Sequence, residues 1–249
     1  MRRFLPFLLL VCGGVSLASG RTDALLERAA AAEAALESRR ALEIYYEALR
    51  AQPDNPFILQ KIARQYSDLV EDQRDAEAKK RYAQTALDYA LRAVALEPDN
   101  PVNVLSLAIC HGRLATYSDT RTKVKYSRLI KAEAERALAL DPDYAWAHHV
   151  LGRWHHEVAS LGRTARFIVA LFYGGLPEAS TAQAINHLER AVALEPDVMA
   201  HRVELGLTLH AAGHAERARI ELERGLALPA REKHDVIVQA RAQAALADL

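Results

Sequence analysis

The sequence predicts an all-α fold, a tetratricopeptide-like solenoid of antiparallel helix pairs, and three observations carry that prediction. From Thr22 onward the text is rich in Ala, Leu, Glu and Arg, all good helix formers. It lacks the β-branched alternation a strand requires. A stop-and-start signal also recurs: AQPDNP at Ala51 to Pro56, ALEPDNP at Ala95 to Pro101, ALDPDYA at Ala139 to Ala145, ALEPDVM at Ala193 to Met199, and a degraded ALPA from Ala227. In each signal the proline ends a helix, since it lacks an N–H and clashes with the previous turn, and the neighbouring Asp is placed to cap the next.

The chain has 249 residues, 51% of them hydrophobic and 26% charged, enough for a substantial core in one elongated domain. Thirty-two basic residues balance thirty-two acidic ones, so nothing in the charge points to nucleic acid. Met1-Arg2-Arg3, the apolar run from Phe4 to Leu17 and the small residues Ala18-Ser19-Gly20 read as an export signal over residues 1–20. That predicts a periplasmic or secreted protein; an uncleaved anchor or lipidation at Cys12 is the alternative, the latter disfavoured by the bulky Val11 before it. With the leader removed, Cys110 is alone and forms no internal disulfide.

Residues 21–249 form the repeat domain. The marker prolines Pro53, Pro98, Pro142, Pro196 and Pro229 lie 45, 44, 54 and 33 residues apart. The last step is one tetratricopeptide unit of about 34 residues. Small residues mark the close helix contacts in each unit: Ile62-Ala63 with Ala86, Ala90 and Ala93; Leu107-Ala108 with Ala134 and Ala137; Leu151-Gly152 with Ala184, Leu188 and Ala191; Leu205-Gly206 with Ala218, Leu222 and Gly225. Stacked hairpins then share one continuous core. A generic helical bundle is the plainer alternative.

The long steps come from insertions. Residues 68–80 and 115–128 are charged and extend helices into solvent. Residues 161–180, in the fourth repeat, differ: Arg163 and Arg166 precede the apolar run Phe167 to Tyr173, and Gly174-Gly175-Leu176-Pro177 makes a turn. Two readings are open for this segment, a helix folded back as extra core or a lid over an apolar groove. The lid residues are then Arg166, Phe167, Leu171 and Phe172.

His148, His149, His155 and His156 invite a metal reading, but the equivalent pairs are seven residues apart, roughly 10.5 Å along the axis. Core or surface histidines are the better reading. Cys110-His111 is equally weak, because adjacent helical residues point about 100° apart. No nucleophile elbow, phosphate loop, dinucleotide fingerprint or H-E-x-x-H is present in the sequence, so neither an enzyme nor a cofactor is expected.

Several runs together, AIC at Ala108 to Cys110, IKAEAERALALDP at Ile130 to Pro142, the His149, Gly152 and Trp154 pattern and the inserted arginine-apolar-turn segment, resemble the regulator of microtubule dynamics family from about Pro56 to the C-terminus. The resemblance implies a helical-repeat protein. Some members associate with microtubules and spindle poles, and one tethers the mitochondrial outer membrane and transfers phospholipid through its repeats. The Ala- and Arg-rich text and the export signal fit a bacterial, exported member, which would not meet a cytoplasmic filament. Microtubules are therefore implied as a partner by the resemblance alone.

The repeat register places Phe57, Gln60 and Arg64, then Val102, Leu105 and Ile109, then Trp146, His149, Arg153 and His156, then Val203, Leu207 and His210 on the inner face. This face lacks the Lys and Asn pattern that clamps a terminal carboxylate. Two functions follow. The preferred one is a scaffold binding a protein or peptide in its groove; the alternative is a carrier of phospholipid or fatty acid, with residues 161–180 as lid and Arg153 or Arg166 orienting a phosphate.

Overall fold

The computed structural model describes residues 14–249, with side chains from residue 20 onward. Cys12 and most of the expected leader lie outside the described residues. Four helices end at the residue before a marker proline: Gln52, Glu97, Asp141 and Glu195 all have φ between −141° and −130° and ψ between 76° and 98°. The proline ring disfavours the helical region for the residue that precedes it, so the stop is set one position upstream of the proline itself.

The restart differs from expectation. Asn55, not Asp54, caps the next helix by accepting from the Ile58 N–H at 3.2 Å. Asn100 does the same for the Val102 and Asn103 N–H groups, at 3.0 and 3.3 Å. A tight turn occupies the Pro-Asp pair, which moves the cap to the following residue. Pro56 and Pro101 then stand at the first helical position, where a missing N–H costs nothing.

The described residues form twelve helices and no strand. They pair as α1 (Gly14–Ala34) with α2 (Ser38–Ala51), α3 (Pro56–Asp68) with α4 (Ala76–Leu96), and α5 (Pro101–Thr116) with α6 (Thr120–Leu140). Then α7 (Ala145–Ala159) pairs with α9 (Thr181–Leu194), with α8 (Arg163–Tyr173) inserted, and α10 (Met199–Ala211) with α11 (Ala215–Leu226), while α12 (Asp235–Ala247) closes the end. Successive hydrophobic clusters, each shared between neighbouring units, replace a single central core.

The small residues act as the sequence predicts. A Cβ on Gly152 would lie 2.6 Å from Leu188 Cγ, and one on Gly206 the same distance from Leu222 Cγ. Ala86, Ala90, Ala93, Ala134, Ala137, Ala184, Ala191 and Ala218 are fully buried. Close helix contact at these sites leaves no room for a larger side chain.

The charged insertions lengthen α4 and α6 to 21 residues each. The turn before α4 is not wholly solvent-facing, however. Leu69 and Val70 are buried, because two apolar side chains inside a charged run gain more in the core than in water.

Candidate functional site

The contacts define which helices face inward. The first helices α3, α5, α7 and α10 touch one another in succession and α12 follows α10, whereas α4, α6, α9 and α11 touch first helices but not each other. The first helices are therefore the crowded, concave side.

On that side Phe57 is 51% exposed, Val102 41% and Ile109 39%. The spacing of seven between Val102 and Ile109 puts them on one stripe of α5. Leu105 is 1% exposed and belongs to the α5–α7 core cluster, so the groove assignment for it is corrected. Val203 is also core. The α5 and α10 rows are rotated relative to the predicted face, because packing between first helices takes one of the two candidate rows on each helix.

Trp146, His149, Arg153 and His156 share α7 but do different things. His149 is buried, its Nδ1 3.1 Å from the Nδ1 of His201 on α10, and Trp146 lies against both rings. Burial, with Arg153 and Arg241 adding repulsion, pushes the His149 pKa down to about 3; burial and then His149 push His201 down to about 2. Two neutral rings, one donating and one accepting, satisfy each other at this junction. Arg153 stays half-exposed and donates to Glu157 at 2.8 Å. His156, Leu207 and His210 are partly buried.

A second histidine group lies between α7 and α9. His148 Nδ1 is 2.9 Å from His187 Nδ1, and the His155 ring stacks on His187. Burial, then His148 and His155, pull the His187 pKa down to about 4. Among the described residues no group of three or more His, Cys, Asp or Glu is arranged to hold a metal ion. Cys110 is buried with its pKa pushed up to about 12 by burial and then Glu133, while its neighbour His111 turns to Glu133 at 2.9 Å. The thiolate is disfavoured and has no base beside it.

Residues 161–180 are not extra core. No residue of α8 is buried, and Phe167, Leu171 and Phe172 are more than 60% exposed. Among the described helices its backbone packs on α6, a second helix, and it reaches α7 only at the last carbonyls of that helix, so it does not lie over the first-helix face. Arg166 does not point to the groove either: it donates to the Val158 and Ala159 carbonyls, at 3.1 and 2.8 Å, and so caps the end of α7.

The inner face carries a feature the repeat register did not predict. The turn between α11 and α12 reaches back to the second unit: Glu232 pairs with Arg64, Lys233 with Asp72 at 2.9 Å, and His234 Nε2 lies 3.4 Å from Asp68. Asp235, itself buried, holds the turn by accepting from the Arg231 and Glu232 N–H groups at 2.7 and 2.8 Å. Next to it Arg241 meets the buried Glu204 at 3.0 Å. The sequence signal was the charge-dense REKHD run after the degraded marker. Its partners, more than 160 residues away, left no local trace.

Helix hairpins stacked with their first helices inward, Gly and Ala at the crossings and Pro-Asp turns between units define a tetratricopeptide-like repeat protein. A thermophilic TPR protein of Thermus thermophilus matches this architecture at a TM-score of 0.66 and 20% identity over 91% of this chain and 99% of its own. PilF of Pseudomonas aeruginosa matches at 0.53 and 13% over 93% and 89%. The chain belongs to the family described as regulator of microtubule dynamics protein 1-3, whose model matches residues 23–249. Among its relatives, regulator of microtubule dynamics protein 3 of Xenopus laevis is 29% identical over 143 residues, 57% of this chain and 31% of that protein. Regulator of microtubule dynamics protein 1 of Mus musculus is 24% identical over 194 residues, 77% and 64%. The matched region thus spans 31% to 64% of the length of these two curated relatives.

Proposed function

We propose that this chain is a non-catalytic scaffold that binds a protein segment along the concave face of its first helices. One observation carries the reading: Phe57, Val102 and Ile109 leave an apolar stripe on α3 and α5, on the side where repeat proteins of this class present a continuous surface. The REKHD turn bounds this stripe, so a bound segment either runs beside the turn or displaces it. A lipid carrier needs a wall over the apolar stripe, and the segment expected to supply one lies on α6. The microtubule partner in the relatives' names is one class to test, and export through residues 1–20 belongs to the same proposal.

The test is a photo-crosslinking residue at position 109, compared with one at Leu91, an exposed second-helix position. The reading predicts one dominant adduct at 109 in native extracts, absent at 91 and weakened by Val102→Asp. Arg64→Glu, which breaks the pair with Glu232, is expected to increase its yield. Equal adducts at both positions, insensitive to Val102→Asp, overturn the groove.

A further inference from the structure

Helix α8 presents an apolar ridge that no described residue covers. Phe167, Ile168, Leu171 and Phe172 fall at i, i+1, i+4 and i+5 on one side, and all four are exposed. The other side, with Val169 and Tyr173 partly buried, turns toward the protein. Both ends are fixed. Arg166 joins the first turn to the α7 carbonyls, and Arg128 of α6 donates to the Tyr173 and Gly175 carbonyls at the last. Gly174, at φ 75°, makes the left-handed stop that brings Gly175 back to Val169 O at 3.1 Å.

The surroundings are strongly cationic in a chain with no net charge. Residues 119–131 and 162–178 together hold seven Lys or Arg and two carboxylates. Arg121, Lys125 and Arg128 recur at i, i+4 and i+7, so the stripe of α6 that supports α8 continues as exposed cations. Lys125 and Arg163 have no ion-pair partner among the described residues.

We infer that α8 and the adjoining stripe of α6 dock this protein on an anionic lipid bilayer, with Phe167, Leu171 and Phe172 entering the headgroup boundary and Arg121, Lys125 and Arg163 meeting lipid phosphates. An amphipathic helix with aromatic and aliphatic residues on one face and cations beside it suits that interface. A second copy of the chain is the poorer occupant: a twofold dimer through this face sets the same cations against each other. The surface is distinct from the concave face and does not depend on what binds there.

The test is sedimentation of the full chain with vesicles of phosphatidylcholine alone or with about a third phosphatidylserine. Binding to the anionic vesicles is expected to fall about tenfold or more in Phe167→Ser/Phe172→Ser and in Arg121→Glu/Lys125→Glu, with unchanged helical circular dichroism. Hydrogen exchange locates the contact independently of the N-terminal leader: amides of residues 163–175 are expected to slow on anionic vesicles. Equal binding by wild type and both variants, equal binding to neutral vesicles, or unchanged exchange in α8 each overturns the proposal. A concentration-dependent dimer that Phe167→Ser/Phe172→Ser dissolves assigns the ridge to a second copy and overturns it as well.

Discussion

The fourth and fifth units differ almost entirely in how their two helices are joined. Between α10 and α11 the chain needs three residues, Ala212 to His214, with Gly213 at φ 81°. Between α7 and α9 it takes residues 160–180 and a whole extra helix. The crossings are nevertheless the same: Gly152 against Leu188 and Gly206 against Leu222, both leucines fully buried and both with the same 2.6 Å clearance for an added Cβ. The hairpin is held by its crossing and not by its connection. Loop closure grows only slowly with length, about 0.6 kcal/mol for each doubling, so the fold tolerates the insertion and leaves its surface free for another use.

The largest effects that sharpen this comparison are expected at the crossings. Leu188→Ala and Leu222→Ala should each cost about 2–5 kcal/mol, read as matched shifts of the urea midpoint. A much larger loss at Leu188 alone would show that α8 supports its unit after all. Gly152→Ala and Gly206→Ala should each cost about 1–3 kcal/mol, because Leu Cγ and a backbone carbonyl must give way. Gly112→Ala is the control. Its Cβ meets only Ile130 Cδ1 at 3.9 Å, so helix propensity should stabilise it by up to about 1 kcal/mol.

Acid should act on the junction between these two units. His149 and His201 are held well below the ordinary histidine value, so the unfolded chain takes up protons first as pH falls. Stability is therefore fully present above about pH 6.5 and is lost downward toward about pH 3, by up to about 1.4 kcal/mol per pH unit for each ring that stays neutral. Thermal melts at pH 7.5, 6 and 5 should show the decline, and His149→Gln should make it shallower. A wild-type melting temperature that is flat across this range would mean the rings are protonated in the fold. The smallest effect is expected on the insertion: Phe167→Ser/Phe172→Ser should change the unfolding free energy, read from urea melts, by no more than about 0.5 kcal/mol, since both rings are largely exposed.

The marker prolines, the glycines at 152 and 206 and the alanine rows were legible because each acts within its own hairpin, over a separation the repeat period fixes. The α7 histidines were legible as residues but not as pairs, since His187 and His201 lie 39 and 52 positions away on other helices. Leu105 was placed on the wrong face of α5 because an apolar helix offers two rows, and only the neighbouring first helices choose between them.

By itself the sequence determined the fold class, the breaks between units and the sites of close contact in four of the helix pairs, all of which follow from local conformational preference repeated at a regular interval. The tertiary structure alone decided that α8 lies on α6 with its ridge exposed, and that Glu232, Lys233 and His234 return to Arg64, Asp72 and Asp68. Those placements depend on how five units add their small rotations. That sum brings distant side chains together without leaving a signal at either position in the chain.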